Sequence, residues 1–179
     1  SAVIGDWDLP TTGLIAVKGP SGSGKTMLLR TLAGVDAARS GQVFRRADQA
    51  SWVAVDAWLP EDLLRNHLQT EHRALLETLR LTDDPRFAAD APAIDLARGE
   101  VSGGQRVRLA LAYALAQDAP VIFADEPTAK LDQESAEAVR QALIGAAKTR
   151  LVVVATHDQA LAAAAAEERA IEDRGEVIA

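Results

Sequence analysis

Short apolar runs alternate along the chain with segments in which apolar residues recur every three or four positions. The runs have few polar interruptions, which is typical of strands buried on both faces of a parallel sheet. They predict strands at residues 2–4, 14–17, 41–44, 51–55, 121–124 and 151–155. A closing hairpin is predicted from residues 170–172 and 176–178, which flank the turn sequence Asp173-Arg174-Gly175.

The helices are predicted from their periodicity and from their boundary residues. They are expected at residues 27–33, 60–81, 105–117, 133–147 and 159–169, the last of which is rich in alanine. Ser102 is placed to cap the helix 105–117 through Gly103 and Gly104.

Together these elements predict an α/β fold with a mainly parallel sheet, helices on both faces and a small antiparallel β portion. The mainly helical block 60–117 interrupts the alternation of strands and helices, which indicates an inserted α-helical subdomain. Residues 1–179 are therefore interpreted as a single domain. Its core would comprise about 1–59 and 118–179, and its helical subdomain about 60–117.

A glycine-rich loop follows the second predicted strand and opens the next helix, which is the context of a phosphate-binding P-loop. Its backbone N–H groups and the helix N-terminus would face phosphate oxygens. Lys25 would place its charge on the outer phosphates, and the Thr26 hydroxyl would ligate Mg²⁺. A glycine-rich turn that matches by chance is the alternative. The predicted nucleotide-binding residues of this loop are Gly19, Pro20, Ser21, Gly22, Ser23, Gly24, Lys25, Thr26 and Met27.

Two adjacent carboxylates end the predicted strand 121–124. Asp125 would hold Mg²⁺ through water, and Glu126 would act as the general base that polarises the attacking water. Such a pair beside a triphosphate requires the cation, because the like charges would otherwise repel. The alternative is a strand that simply ends in a polar turn before Pro127.

Candidate functional residues also lie at the start of one predicted helix and at the end of another predicted strand. Ser102, Gly103, Gly104 and Gln105 open a helix and could form a second anion site, for a second ligand or for a nucleotide held by another subunit. A plain helix cap is the alternative. His157 follows the strand 151–155 and could donate to the outer phosphate, although a lone histidine is more often structural.

Composition and net charge limit the classes of partner and of site that the chain could have. The formal net charge of −7 disfavours non-specific binding to nucleic acid or to anionic lipid. The absence of cysteine excludes disulfides and thiolate metal sites and fits a reducing compartment. No apolar run is long enough for a membrane span, and the first residues do not have the pattern of a signal peptide.

Five motifs in this order resemble those of the ATP-binding cassette (ABC) ATPases, the P-loop NTPase-type nucleotide-binding domains of ABC transporters. Residues 19–26 are similar to Walker A, and 101–105 to the LSGGQ signature with valine in place of leucine. Residues 121–126 are similar to Walker B with its catalytic glutamate, 129–132 to the D-loop, and His157 to the switch histidine.

The resemblance implies a head-to-tail dimer with two Mg·ATP between the subunits. Ser102 and Gly104 would contact the γ-phosphate held by the other subunit, and Asp132 would cross the interface. The chain would then be an ATP-hydrolysing motor domain that acts with a transmembrane domain at the cytoplasmic face of a membrane. Residues 97–100 before the signature and the short helical block resemble those of exporter domains. The stretch 52–68 has weak similarity to the thiol exporter that assists cytochrome bd assembly.

The chain departs from the family pattern at three places, one of which suggests an alternative function. Trp7 is too close to Lys25 to be the usual adenine-stacking aromatic and is expected on a strand, so a truncated N-terminus is expected. Val55 takes the place of the Q-loop glutamine, for which Asp56 could substitute, and Lys130 replaces a small D-loop residue. Val55 motivates the alternative of a weakly hydrolysing regulatory cassette in an asymmetric pair.

A third hypothesis is a soluble ABC protein of DNA repair or translation. Such proteins carry coiled coils or tandem cassettes and tend to have basic surfaces, whereas this chain is acidic. A stripe of exposed apolar residues around Trp58 and Leu59 would favour docking to a membrane domain.

Overall fold

The computed structural model of the protein describes residues 7–38, 42–43, 49–59, 72–87 and 101–171. Its strands are β1 (Gly13–Lys18), β2 (Ala50–Val53), β3 (Val121–Asp125), β4 (Leu151–Ala155) and β5 (Glu167–Ala170). Its helices are α1 (Lys25–Ala33), α2 (Arg73–Thr78), α3 (Gly103–Ala116), α4 (Gln133–Ala146) and α5 (Gln159–Ala163), with a 3₁₀ turn at Pro85–Phe87.

The described strands form one parallel sheet in the order β2-β3-β4-β1-β5. Alternate residues of each central strand enter different apolar clusters. In β1, Leu14 packs with residues of α3 and α4, whereas Ile15 packs with Leu28 and Leu29 of α1. Helices therefore cover both faces of the sheet, which confirms the predicted α/β class and explains why the strands read as unbroken apolar runs.

Most of the N-terminal part of the predicted fold is confirmed where it is described. Residues 42 and 43 of the predicted strand 41–44 are not in a strand, and all pairings among the described strands are parallel, so the predicted antiparallel portion is not found among them. Strand β2 begins and ends slightly earlier than predicted, and α3 already includes both glycines that follow its cap. Of the predicted helix 60–81, the described part is helical only over Arg73–Thr78, because Arg80 adopts a left-handed conformation with φ 55° that ends it. The predicted strand 2–4, residues 41 and 44, and positions 172–179 of the closing hairpin lie outside the described residues.

The predicted helix 159–169 is wrong in its second half. Helix α5 ends at Ala163, and Glu167–Ala170 is instead the edge strand β5, paired in parallel with β1. Ala166 N–H donates to the Leu14 carbonyl (2.9 Å) and Ile171 N–H to the Lys18 carbonyl (2.8 Å). The unpaired edge of β1 offered backbone partners, and this tertiary pairing outweighed the helix propensity of alanine.

Trp7 is also placed differently from the prediction, because it is not part of a strand. It packs against the apolar cluster on the α1 side of the sheet, and the Arg169 guanidinium lies 6.0 Å from the centre of its ring. A cation over an aromatic face is attractive at this distance. Trp7 thus helps to cover the edge strand β5.

The helical block joins the sheet through α3. This helix packs against both β2 and α2, and Leu109 and Leu111 are fully buried in the same cluster as Ile122 of β3. The division into a core and a helical subdomain at residues 60 and 117 stays a prediction. Within the described residues, no helix has the length and apolar character that crossing a membrane requires.

Helix α4 offers a pair of substitutions with opposite expected effects on stability. Leu143 is fully buried, so Leu143→Ala should lower the free energy of unfolding by about 2–5 kcal/mol through lost burial and a residual cavity. Gly145 is exposed, and an added Cβ would meet nothing within 4 Å. Gly145→Ala should therefore raise stability by up to about 1 kcal/mol.

Urea unfolding followed by circular dichroism measures both changes. A Leu143→Ala protein as stable as the unmodified chain would contradict the placement of α4 on the sheet.

Candidate functional site

The parallel sheet brings three predicted loops to one edge. Because neighbouring parallel strands run in the same direction, the loops that follow β1, β3 and β4 all leave from the same side. Register places Val17 of β1 beside Ala155 of β4, and Ala155 beside Asp125 of β3. The P-loop, the carboxylate pair and the loop of His157 are therefore neighbours.

The conformation of the P-loop depends on its glycines. Gly22 and Gly24 have backbone φ values of 81° and 93°, which residues other than glycine rarely adopt. A Cβ on Gly19 would lie 2.7 Å from Ser23 Oγ and 3.3 Å from the Ile171 carbonyl oxygen, so only glycine fits. Gly24 caps α1 without a side-chain bond, which leaves the N–H groups of the first turn available to an anion.

Two buried polar groups in this loop fit a phosphate ligand. Lys25 is 9% exposed, and its Nζ donates to the carbonyls of Gly19 (2.8 Å) and Pro20 (2.9 Å). The Ser23 hydroxyl is buried and has no hydrogen-bond partner. A buried hydroxyl without a partner costs free energy, and a phosphate oxygen in the loop would supply the missing partner.

The two predicted magnesium ligands contact each other directly. Thr26 Oγ1 donates to Asp125 Oδ2 at 2.6 Å, and both side chains lie at the same edge of the sheet. A hydroxyl and a carboxylate are suitable oxygen ligands for Mg²⁺. Among the described residues no group of three or more acidic, histidine or cysteine side chains could hold a metal.

Glu126 and His157 also form a pair. Glu126 has a left-handed backbone conformation (φ 46°), and its N–H donates to the Ala155 carbonyl at 2.8 Å. The Glu126 carboxylate accepts a hydrogen bond from the backbone N–H of His157 at 3.3 Å. The imidazole Nε2 of His157 lies 3.6 Å from the same carboxylate. A left-handed non-glycine residue stores strain of about 1–3 kcal/mol, which the neighbouring strand end sustains. The predicted base and the predicted switch histidine are therefore adjacent.

An ion pair that sequence reasoning missed anchors the loop of His157. Asp158 caps α5 by accepting from the N–H groups of Ala160 and Leu161, and it pairs with Arg140 of α4 at 2.6 Å. Burial alone would raise the pKa of Asp158, but the Leu161 N–H and Arg140 outweigh it, so that this pKa lies below its usual range. The preference of aspartate for helix N-caps was the available signal.

The signature residues lie elsewhere on the subunit. A cavity of about 400 Å³ is lined by residues that include Gly19, Lys25 and His157, but none of Ser102 to Gln105. Ser102 caps α3 as predicted, and a Cβ on Gly104 would lie 2.7 Å from the Leu131 side chain. The signature therefore packs against the D-loop rather than against the P-loop of the same chain.

The other residues predicted to contact nucleotide across a dimer interface are Gly103, Gln105 and Asp132, and they differ in exposure. Gly103 is exposed, with Val55 Cγ1 3.7 Å from the place of a Cβ. Gln105 is buried, with its side chain turned inward to the Ser102 N–H. Asp132 is exposed and caps α4 through the Ser135 N–H (2.9 Å), a bond that lowers its pKa.

The segment that replaces the Q-loop is held by α1. Val55 is 58% exposed. The Asp56 carboxylate accepts a bond from Arg30 and another from Trp52 Nε1 (3.0 Å), and Arg30 also stacks on the Trp52 ring. Asp56 is therefore engaged with α1 rather than turned toward Asp125, and Arg30 is a residue whose role the sequence pattern did not reveal.

Comparisons with known proteins agree with this arrangement. A family model described as ABC transporter matches residues 5–129. The sulfate/thiosulfate import ATP-binding protein CysA of Caulobacter vibrioides is 29% identical, and the match covers 96% of this chain and 57% of that protein. The lipoprotein-releasing system ATP-binding protein LolD of Idiomarina loihiensis is 33% identical, and the match covers 88% of this chain and 79% of that protein. The chain thus spans little more than half the length of the first of these relatives.

A solved structure extends the comparison to the fold. The ATP-binding cassette MJ0796, determined as a dimer in a post-hydrolysis state bound to ADP and Pi, matches with a TM-score of 0.72. It is 26% identical, and the match covers 93% of this chain and 84% of that one.

The steric constraint on Gly19 gives a test of the P-loop. Gly19→Ala should weaken ADP binding at least about tenfold, because the added Cβ displaces Ser23 and thereby the loop N–H groups. Isothermal titration with Mg·ADP measures the change, and Gly145→Ala serves as the control glycine outside the loop. Equal affinities in the two variants would show that the loop does not hold the phosphates.

Proposed function

The chain belongs to the ABC transporter family of ATP-binding proteins, and from this premise we propose that it is the motor domain of a transporter. It would form a single ABC ATP-binding domain that dimerises head-to-tail around two Mg·ATP. ATP hydrolysis in the dimer would drive the movement of a solute across a membrane. The observation that carries the proposal is the contact of Glu126 with His157 beside the Thr26–Asp125 pair.

Each residue of this edge has a role that its position supports. The P-loop N–H groups and Lys25 bind the phosphates, and the Ser23 hydroxyl gains a partner among their oxygens. Thr26 and Asp125 would hold Mg²⁺, which when bound would neutralise part of the phosphate charge. The main effect of these groups is to position the phosphates and to stabilise charge.

Glu126 is suited to act as the general base. Its carboxylate would take the proton of a water whose oxygen forms a bond to the γ-phosphorus, while the bond from that phosphorus to the bridging oxygen of ADP breaks. The His157 N–H bond orients the carboxylate, and His157 itself is 66% exposed. The imidazole is thus free to turn and donate to the γ-phosphate.

A second subunit would complete each site. Ser102 and Gly103 are exposed and lie outside the cavity of the P-loop, so one chain leaves its ATP site open on the signature side. The partner's Ser102 and Gly104 would contact the γ-phosphate, and Asp132 would couple the two sites. The dimeric state of MJ0796 with ADP and Pi supports this arrangement.

The membrane partner would dock beside the Q-loop segment. Trp58 is 76% exposed and Val55 58%, whereas Leu59, which was expected in the same apolar stripe, is buried. Trp58 and Val55 are the apolar surface that we propose for a contact with a transmembrane domain. The chain would then act at the cytoplasmic face of the membrane. We propose export from the sequence around the signature, while the relatives described above comprise an import system and a lipoprotein-releasing system.

Glu126→Gln should lower the ATP turnover rate by about 10²–10⁴-fold while nucleotide binding is retained, because the amide cannot accept the proton. Phosphate release measures turnover, and titration with a non-hydrolysable ATP analogue measures binding. Glu77→Gln, which changes an exposed carboxylate paired with Arg73, is the matched control. Turnover that survives in Glu126→Gln would show that another group is the base.

A second candidate function is a weakly hydrolysing regulatory cassette. The engagement of Asp56 by Arg30 and Trp52 favours it, because no carboxylate or amide of the 55–56 segment is then free to orient the attacking water. In an asymmetric pair such a cassette would bind ATP and close, while the other partner supplies most of the hydrolysis.

Val55→Gln distinguishes the two functions. In a regulatory cassette the new amide should raise turnover about tenfold, since it restores a water-orienting group at this position. In a competent motor the change should be smaller than about twofold. Val55→Leu is the control for side-chain size, and an equal rise in both variants would show that packing, not the amide, is responsible.

A further inference from the structure

The first turn of α3 is held by a buried glutamine. Gln105 is 9% exposed, and its Oε1 accepts from the Ser102 N–H at 2.8 Å. In return, the Ser102 Oγ accepts from the Gln105 N–H at 3.2 Å. These reciprocal bonds form a capping box and fix Ser102 relative to the helix axis.

Gln105 is in turn held by a charged pair from the turn before the signature. Its Nε2 donates to Asp84 Oδ2 at 2.8 Å, and its Oε1 also accepts from Arg86 Nη2 at 3.3 Å. Arg86 Nη2 donates to the same Asp84 oxygen at 2.6 Å. The glutamine amide is therefore fixed at both ends, which also fixes which end faces Ser102.

The turn that carries this pair is anchored in the core. Phe87 is fully buried, and Asp84 accepts from the Arg86 N–H at 3.0 Å to close the turn. The Arg86 side-chain bond lowers the pKa of Asp84 to about 2, with the Arg86 N–H bond as the next cause. The carboxylate is therefore ionised throughout the physiological range.

We propose that Asp84 and Arg86 are positioning residues that act through Gln105 to hold Ser102 ready for phosphate binding in the partner's site. The proposal rests on the head-to-tail dimer proposed above. Because the Ser102 oxygen already accepts from Gln105, its hydroxyl hydrogen is left to donate to an anion. Gly103 and Gly104 cannot hold the turn themselves, since they lack side chains.

The test compares two neighbouring carboxylates in a chain that also carries Glu126→Gln, so that ATP is bound but not consumed. Asp84→Ala should weaken ATP-dependent dimerisation at least about tenfold in sedimentation velocity, while Mg·ADP affinity at the P-loop stays within about twofold. Asp83→Ala, which removes an ion pair with Arg80 in the same turn, should leave both unchanged. Asp84→Asn keeps an acceptor for Gln105 and should recover part of the loss.

Hydrogen exchange of the isolated subunit gives an independent readout. The Ser102 amide should exchange at least about tenfold faster in Asp84→Ala than in Asp83→Ala, because its acceptor is no longer fixed. If the reference chain with Glu126→Gln fails to dimerise in ATP, the proposed dimer is overturned and the exchange rates alone decide whether Asp84 holds Ser102. Equal exchange, or equal dimerisation in the two alanine variants, would overturn the positioning role.

Discussion

Parallel strand pairing is the constraint on which the site depends. The register that sets Val17, Ala155 and Asp125 side by side sends three chemically different loops from one edge of the sheet. The Thr26–Asp125 bond and the Glu126–His157 contact are both consequences of this register. A slip of one residue between β3 and β4 would turn every side chain of the strand to the other face and separate these groups.

In two of the loops the backbone lies so close to a neighbouring side chain that only glycine fits. At Gly19 the space of a Cβ is taken by Ser23 Oγ, and at Gly104 it is taken by the side chain of Leu131. One loop belongs to the predicted phosphate cradle and the other to the predicted signature. In both, the missing side chain allows the backbone to lie this close to its neighbour.

Arginine side chains then fix the loops to the core. Arg30 joins α1 to Asp56, and Arg140 joins α4 to the cap of α5. Arg108 donates to the carbonyls of Gly104 (3.3 Å), Leu79 (3.1 Å) and Arg80 (3.0 Å), so that it links the signature helix to the end of α2. Burial lowers the pKa of Arg108, yet the guanidinium keeps its charge and its planar set of donors.

The sequence by itself determined the α/β class, the central buried strands, the Ser102 cap and the strand, loop and helix around residues 19–26, because each depends on local periodicity or on a motif with its flanks. It led to the wrong structure at Glu167–Ala170, where alanine propensity predicted a helix but the open edge of β1 required a strand. Only the tertiary structure decided that Asp84 and Arg86 hold Gln105 and that Arg30 engages Asp56. Those partners are 19 to 26 residues apart, and no local pattern encodes a contact made by folding.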